Sequence, residues 1–120
     1  LMRQAAHLNS HRTAIIYTDG TTSEELTFAE AWTRGVRMAN ALLELGLNPG
    51  DRIGVLEDNS IGAQDFFAGA AVGGFVRVPL YARNSIDSHH HMLSHTSCRA
   101  VVVAGHYLDN KRIKSECKSW

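Results

Sequence analysis

The chain has 120 residues, 44% apolar and 20% charged, and its acidic and basic side chains balance to a formal net charge of zero. That length and composition predict one domain with a modest core. They remove the electrostatic case for nucleic acid or an anionic membrane as partner.

Residues 1–11 place Met2, Ala5, Ala6 and Leu8 at helical spacing, which reads as a short helix or a fraying arm. Arg12 to Thr18 is rich in β-formers. Asp19-Gly20 then turns the chain, and Glu25-Leu26-Thr27 returns as a strand, so a β-hairpin is predicted. Thr27-Phe-Ala-Glu30 is a capping-box pattern that opens a helix to about Leu45, with Gly46 as its left-handed stop. Asn48-Pro-Gly-Asp51 is turn chemistry. Ile53 to Leu56 follows as a short buried strand.

Glu57 to Ser60 supplies acceptors for the start of a helix from Ile61 to about Gly73. Its Gly62, Ala63, Ala68, Gly69, Ala70, Ala71 and Gly73 are unusual, because each glycine costs a helix about 1 kcal/mol against alanine. Such a helix needs tertiary support, and the benefit is close approach by a neighbouring helix or strand. Phe75 to Pro79 is a strand that the proline should stop. Ser85 caps a helix from Ile86 to about His95, with Asp87 in its first turn. Cys98 to Ala104 reads as another buried strand, and His106 to Trp120 as a polar tail that is one helix or frays.

Hairpin, helix, strand, helix, strand, helix, strand predicts an α/β fold. The expected form is a three-layer arrangement with a largely parallel sheet plus an N-terminal β-hairpin. No linker or domain boundary interrupts it, so residues 1–120 are expected to form a single domain.

The candidates for chemistry reduce to structure. His91 and His95 are four apart on a helix, yet no third ligand accompanies the His89–His91 run at metal spacing. His7 and His11 are placed in solvent. Cys98 and Cys117 make neither a C-x-x-C pair nor a zinc spacing and read as reduced thiols of a cytoplasmic protein. Leu1-Met2-Arg3 is not followed by the apolar segment of a signal peptide. The longest near-apolar run, Phe66 to Val76, is too short for a membrane span. Lys111, Arg112, Lys114 and Lys118, interrupted by Glu116, read as a solvated face. Tyr17-Thr-Asp-Gly-Thr-Thr-Ser23 looks like a phosphate loop, but Glu24 and Glu25 follow it and would repel a triphosphate, so it is assigned to the hairpin turn. No catalytic, cofactor-binding or metal residue is assigned.

Several stretches resemble a known family. Leu26-Thr-Phe-Ala-Glu30 resembles the first core motif of the adenylate-forming, AMP-binding enzymes, and Gly50-Asp-Arg-Ile-Gly-Val55 with Asn59-Ser60 resembles their next block. Ala70-Ala-Val-Gly-Gly-Phe-Val-Arg-Val-Pro-Leu80 resembles the second core motif, and Ser94 to Val103 the helix and strand that come after it. The Val-Pro-Leu form and Arg83 look most like acyl-CoA synthetases, the fatty-acid–CoA ligases. The resemblance implies a partial N-terminal subdomain of a longer ligase. Such a ligase joins a carboxylate to ATP as an acyl-adenylate and passes the acyl group to a thiol, with ATP, magnesium and CoA as its reactants and cofactor. It further implies that this chain alone, a scaffold segment whose partner is the remainder of the parent ligase, binds no cofactor and is catalytically silent. The alternative is a small non-enzymatic α/β protein that self-associates through exposed apolar surface.

Overall fold

The hairpin forms at the predicted place in the computed structural model, which describes residues 1–120. Strand β1 (Thr13–Thr18) pairs antiparallel with β2 (Ser23–Thr27). Gly20 in the connection has φ of +92°. The Asp19 carboxylate closes the turn: Oδ1 accepts from the backbone N–H groups of Thr21 and Thr22, each at 2.8 Å, and from the Thr21 hydroxyl, while Oδ2 accepts from the Thr22 hydroxyl. Those donors, the backbone N–H of Thr22 first, hold the Asp19 carboxyl well below the usual carboxylate range.

The chain divides into two units, each built from two stretches. The first comprises Leu1–Leu47 and Asn59–Gly74. It holds helix α1 (Met2–Leu8), the hairpin, α2 (Phe28–Glu44) and α3 (Ile61–Gly73). The capping box of α2 is complete: the Glu30 backbone N–H donates to the Thr27 hydroxyl at 3.2 Å, and the Thr27 N–H donates to the Glu30 carboxylate at 2.8 Å. Replacing Thr27 by alanine is expected to cost about 1 kcal/mol of stability, read from chemical unfolding. The helix ends where Gly46 takes φ of +86°.

Helices α2 and α3 pack on each other through their small residues. A Cβ on Gly35 would lie 2.8 Å from the Ala68 Cβ, and one on Gly69 would lie 2.6 Å from the Met38 Cβ and 3.1 Å from the Ala39 nitrogen. The glycines of α3 are therefore explained by a neighbouring helix. Asp65 of α3 also accepts a two-pronged pair of bonds from Arg34 of α2, at 2.7 and 2.6 Å. Ser60 caps α3 and Gly74 ends it in the left-handed conformation.

The second unit comprises Asn48–Asp58 and Phe75–Trp120. Its sheet has the order β4-β3-β5, all parallel, formed by β3 (Arg52–Leu56), β4 (Val76–Leu80) and β5 (Ala100–Val103). β3 is central, and Ile53 to Leu56 are buried. The α/β fold with a parallel sheet and an antiparallel hairpin is therefore as expected. Helix α4 (Ile86–His95) starts at the Ser85 cap, and the Arg52 guanidinium donates to the Thr96 and Ser97 carbonyls at its far end.

Three details depart from expectation. The β4 ladder runs one residue past Pro79, pairing Leu80 with Leu56; β4 is an edge strand, where a missing N–H is tolerated. β5 is shorter than Cys98–Ala104 and only half-buried, because it forms the other edge and has β3 as its sole ladder partner. The tail is ordered: a 3-10 turn (Gly105–Asp109) leads into helix α5 (Lys111–Cys117). Ile113 of α5 packs into a cluster with Leu56 and Leu80. Glu116 is buried rather than solvated, and Arg112 donates to the carbonyls of Ala82 and Asn84.

Candidate functional site

In an open parallel sheet, ligands bind beyond the carboxyl ends of the strands, where connections from neighbouring strands depart in opposite directions. Here β3 is followed in the chain by β4 on one flank, while β5 lies on its other flank, so the reversal falls between β3 and β5. The chain leaving β3 carries Glu57 and Asp58, and the chain leaving β5 carries His106 and Tyr107.

These side chains meet. The Tyr107 hydroxyl donates to Asp58 Oδ1 at 2.7 Å, and His106 Nε2 lies 3.0 Å from Oδ2. The His106 and Tyr107 rings are 4.3 Å apart. Tyr107, then His106, draws the Asp58 carboxyl below its ordinary range, and the Asp58 bond pushes the Tyr107 phenol above its own. Glu57 behaves oppositely: burial raises it, partly offset by Arg77, and its Oε1 is buried without a hydrogen-bond partner. His106 is exposed, and the ring nitrogen that does not face Asp58 can hydrogen-bond a polar ligand group.

Asp58 gains its bonds in the folded, ionised form. Its contribution to stability is present at and above the usual carboxylate range and is lost as pH falls through its lowered folded value. Replacing Asp58 by asparagine removes the charge facing Tyr107. The phenol of Tyr107 is then expected to ionise at lower pH, seen as an earlier rise of phenolate absorbance during alkaline titration.

Sequence reasoning did not single out this cluster. Asp58 and Tyr107 lie 49 positions apart, and the available signal was only that each follows an apolar strand. Elsewhere the structure replaces chemistry with packing. The rings of His91 and His95 stack at 5.5 Å, and His7 and His11 are exposed. His89 is fully buried: its Nε2 donates to the Tyr81 carbonyl at 2.8 Å, and its Nδ1 is 2.6 Å from Glu116 Oε1. No three His, Cys, Asp or Glu side chains are grouped to hold a metal ion. At the phosphate-loop lookalike, the Thr21 and Thr22 N–H groups that a phosphate would need already bind the Asp19 carboxylate. That turn therefore has no free backbone donors for a triphosphate.

The profile of the AMP-binding enzymes matches residues 2–119. The chain belongs to the AMP-binding enzyme family. It is 30% identical over 102 residues to the long-chain-fatty-acid–CoA ligase FadD13 of Mycobacterium tuberculosis, an overlap of 85% of this chain and 20% of that one. This AMP-binding family chain thus spans about a fifth of the length of the curated relatives it matches. Among solved structures it is similar to the Mycobacterium tuberculosis fatty acyl CoA synthetase, with a TM-score of 0.83 and 26% identity over 99% of this chain and 23% of that one. It is also similar to a benzoate CoA ligase from Burkholderia xenovorans LB400, with a TM-score of 0.81 and 27% identity over 99% of this chain and 23% of that one. No helix is long and apolar enough to cross a membrane.

Proposed function

We propose that residues 1–120 are the N-terminal scaffold segment, within a single larger domain, of a cytoplasmic ATP-dependent acyl-CoA synthetase. The whole enzyme would convert a carboxylic acid and ATP to an acyl-adenylate and pyrophosphate, then to a CoA thioester, with magnesium on the phosphates. The observation that carries this is the match of almost the entire chain to about a fifth of an acyl-CoA ligase. The segment's own part is structural, and alone it is catalytically silent. In support, the backbone donors of its most loop-like turn are satisfied internally.

The test mixes the 120-residue chain with ATP, magnesium and a fatty acid. No carboxylate-dependent pyrophosphate release and no micromolar ATP binding are expected, and either result would overturn the silence. Sequencing the encoding gene past Trp120 tests the parent: the frame is expected to continue into a Gly/Ser/Thr-rich loop that ends in lysine.

A second reading, self-association of the chain by itself, is favoured by the exposure of Ile16, Leu45, Phe67 and Tyr81. Light scattering that gives a clean monomer at high concentration would dispose of it.

A further inference from the structure

We propose that closure of α5 on α4 takes up one proton, so that its docking weakens in mild alkali. The side chains of His89 on α4 and Glu116 on α5 are both fully buried, with Nδ1 2.6 Å from Oε1. The other ring nitrogen, Nε2, lies 2.8 Å from the Tyr81 carbonyl, which only accepts, so Nε2 carries a hydrogen. A neutral ring would then aim the Nδ1 lone pair at a carboxylate lone pair. Their close contact requires a proton between them, whichever atom holds it. The second carboxylate oxygen, Oε2, is buried with no hydrogen-bond partner, so no other donor neutralises Glu116. Without the shared proton the pair would be a bare anion shut away from water.

The closed pair thus holds one proton as a unit. In the unfolded chain a free imidazole loses its proton near pH ~6.5 and a free Glu carboxyl near ~4.3. Above the imidazole range the open pair holds no proton and the closed pair one, so stability falls as pH rises. Between the two ranges each state holds one, and the pair's contribution is flat. Below the carboxylate range the open pair holds two, so stability falls again as pH drops. Other ionisable groups surround the pair. Asp87 and His90 stand on α4, and His90 Nε2 lies 3.0 Å from the Ser119 hydroxyl. On α5, Arg112 donates to the Ala82 and Asn84 carbonyls, and burial, then Glu116, pushes the Cys117 thiol up. The Asp58 bond pushes up the phenol of Tyr107 in the cluster beneath α5. Tyr81, Lys114 and Lys118 face solvent, and the terminal carboxyl of Trp120 is ionised throughout the neutral and alkaline range. The proposal stands apart from the ligase reading, since it uses only the second unit's own residues.

The experiment compares the full 120-residue chain with its Glu116→Gln variant. Both carry Trp32→Phe, so that the fluorescence of Trp120, whose ring meets His89 edge-on, reports the joint alone. The glutamine amide donates to a neutral Nδ1, so its closed form needs no shared proton. Every neighbouring group is the same in both chains, and its titration cancels in the ratio of their unfolding constants. Urea unfolding is followed between about pH 6.5, the ordinary imidazole value, and two units above it. The unfolding constant of the chain with Glu116 is expected to rise against that of the glutamine chain by about tenfold per pH unit over the upper half of this range. If the glutamine chain does not fold, His89→Leu with Glu116→Met, which has no proton to share, takes its place in the comparison. A ratio that stays constant with pH, or that falls as pH rises, would overturn the proposal.

Discussion

Replacing Glu116 by alanine is expected to destabilise the second unit by about 3–5 kcal/mol, the range seen when one partner of a buried charged pair is removed. Glu116 and His89 have fully buried side chains, 2.6 Å apart, and join α5 to α4. The Tyr81 carbonyl can only accept, so His89 Nε2 carries a hydrogen and the bridging proton lies between Nδ1 and Oε1. Deleting the carboxylate leaves the buried Nδ1 without a partner and opens a cavity beside Trp120, whose ring meets His89 edge-on at 6.1 Å. His89→Ala should cost a similar amount. The double variant His89→Leu with Glu116→Met should recover most of the loss, because no charge or donor is then stranded and the Tyr81 carbonyl is the one acceptor left without its partner. Chemical unfolding measures the cost, and hydrogen exchange across Lys111–Cys117 locates it. Losses below about 1 kcal/mol in both single variants would mean that the pair is not closed in solution.

Alanine at Gly69 or at Gly35 is expected to destabilise the first unit by about 1–3 kcal/mol, the usual cost of overpacking. This opposes intrinsic propensity, which favours alanine over glycine in a helix by about 1 kcal/mol. At Gly69 the new methyl would meet the Met38 Cβ and the Ala39 nitrogen; at Gly35 it would meet the Ala68 Cβ, which has no rotamer to escape into. Gly62 is the control within α3. Its nearest neighbour would be the Ser60 hydroxyl at 3.6 Å, an ordinary contact. Gly62→Ala should therefore stabilise by about 0.5–1 kcal/mol. Opposite signs along a single helix, measured by thermal unfolding, test the close approach of α2 and α3 directly. Equal signs would contradict it.

Much of the local structure was legible because short-range chemistry specifies it. Thr27 with Glu30, Ser60, Ser85 and Gly74 mark helix ends through bonds made within a few residues: α2, α3 and α4 begin, and α3 ends, where those signals lie. Asp19-Gly20 marked the hairpin for the same reason. The tail was not legible. Its polar composition spoke for solvent, whereas Glu116 is buried by a histidine 27 residues away and Ile113 by strands still further off.

The candidate site divides in the same way. The order of motifs was enough to point to the AMP-binding enzymes, because each motif is a contiguous run whose turns and caps act locally. The meeting of Asp58 with His106 and Tyr107 depends on β5 lying beside β3 rather than beside β4. By itself the sequence determined where helices and strands begin and that the glycines of α3 required a close neighbour. Only the tertiary structure decided which helix that neighbour is, which strand occupies the centre of the sheet, and which buried charge finds a partner. Those outcomes depend on contacts between residues far apart in the chain, and no local preference encodes them.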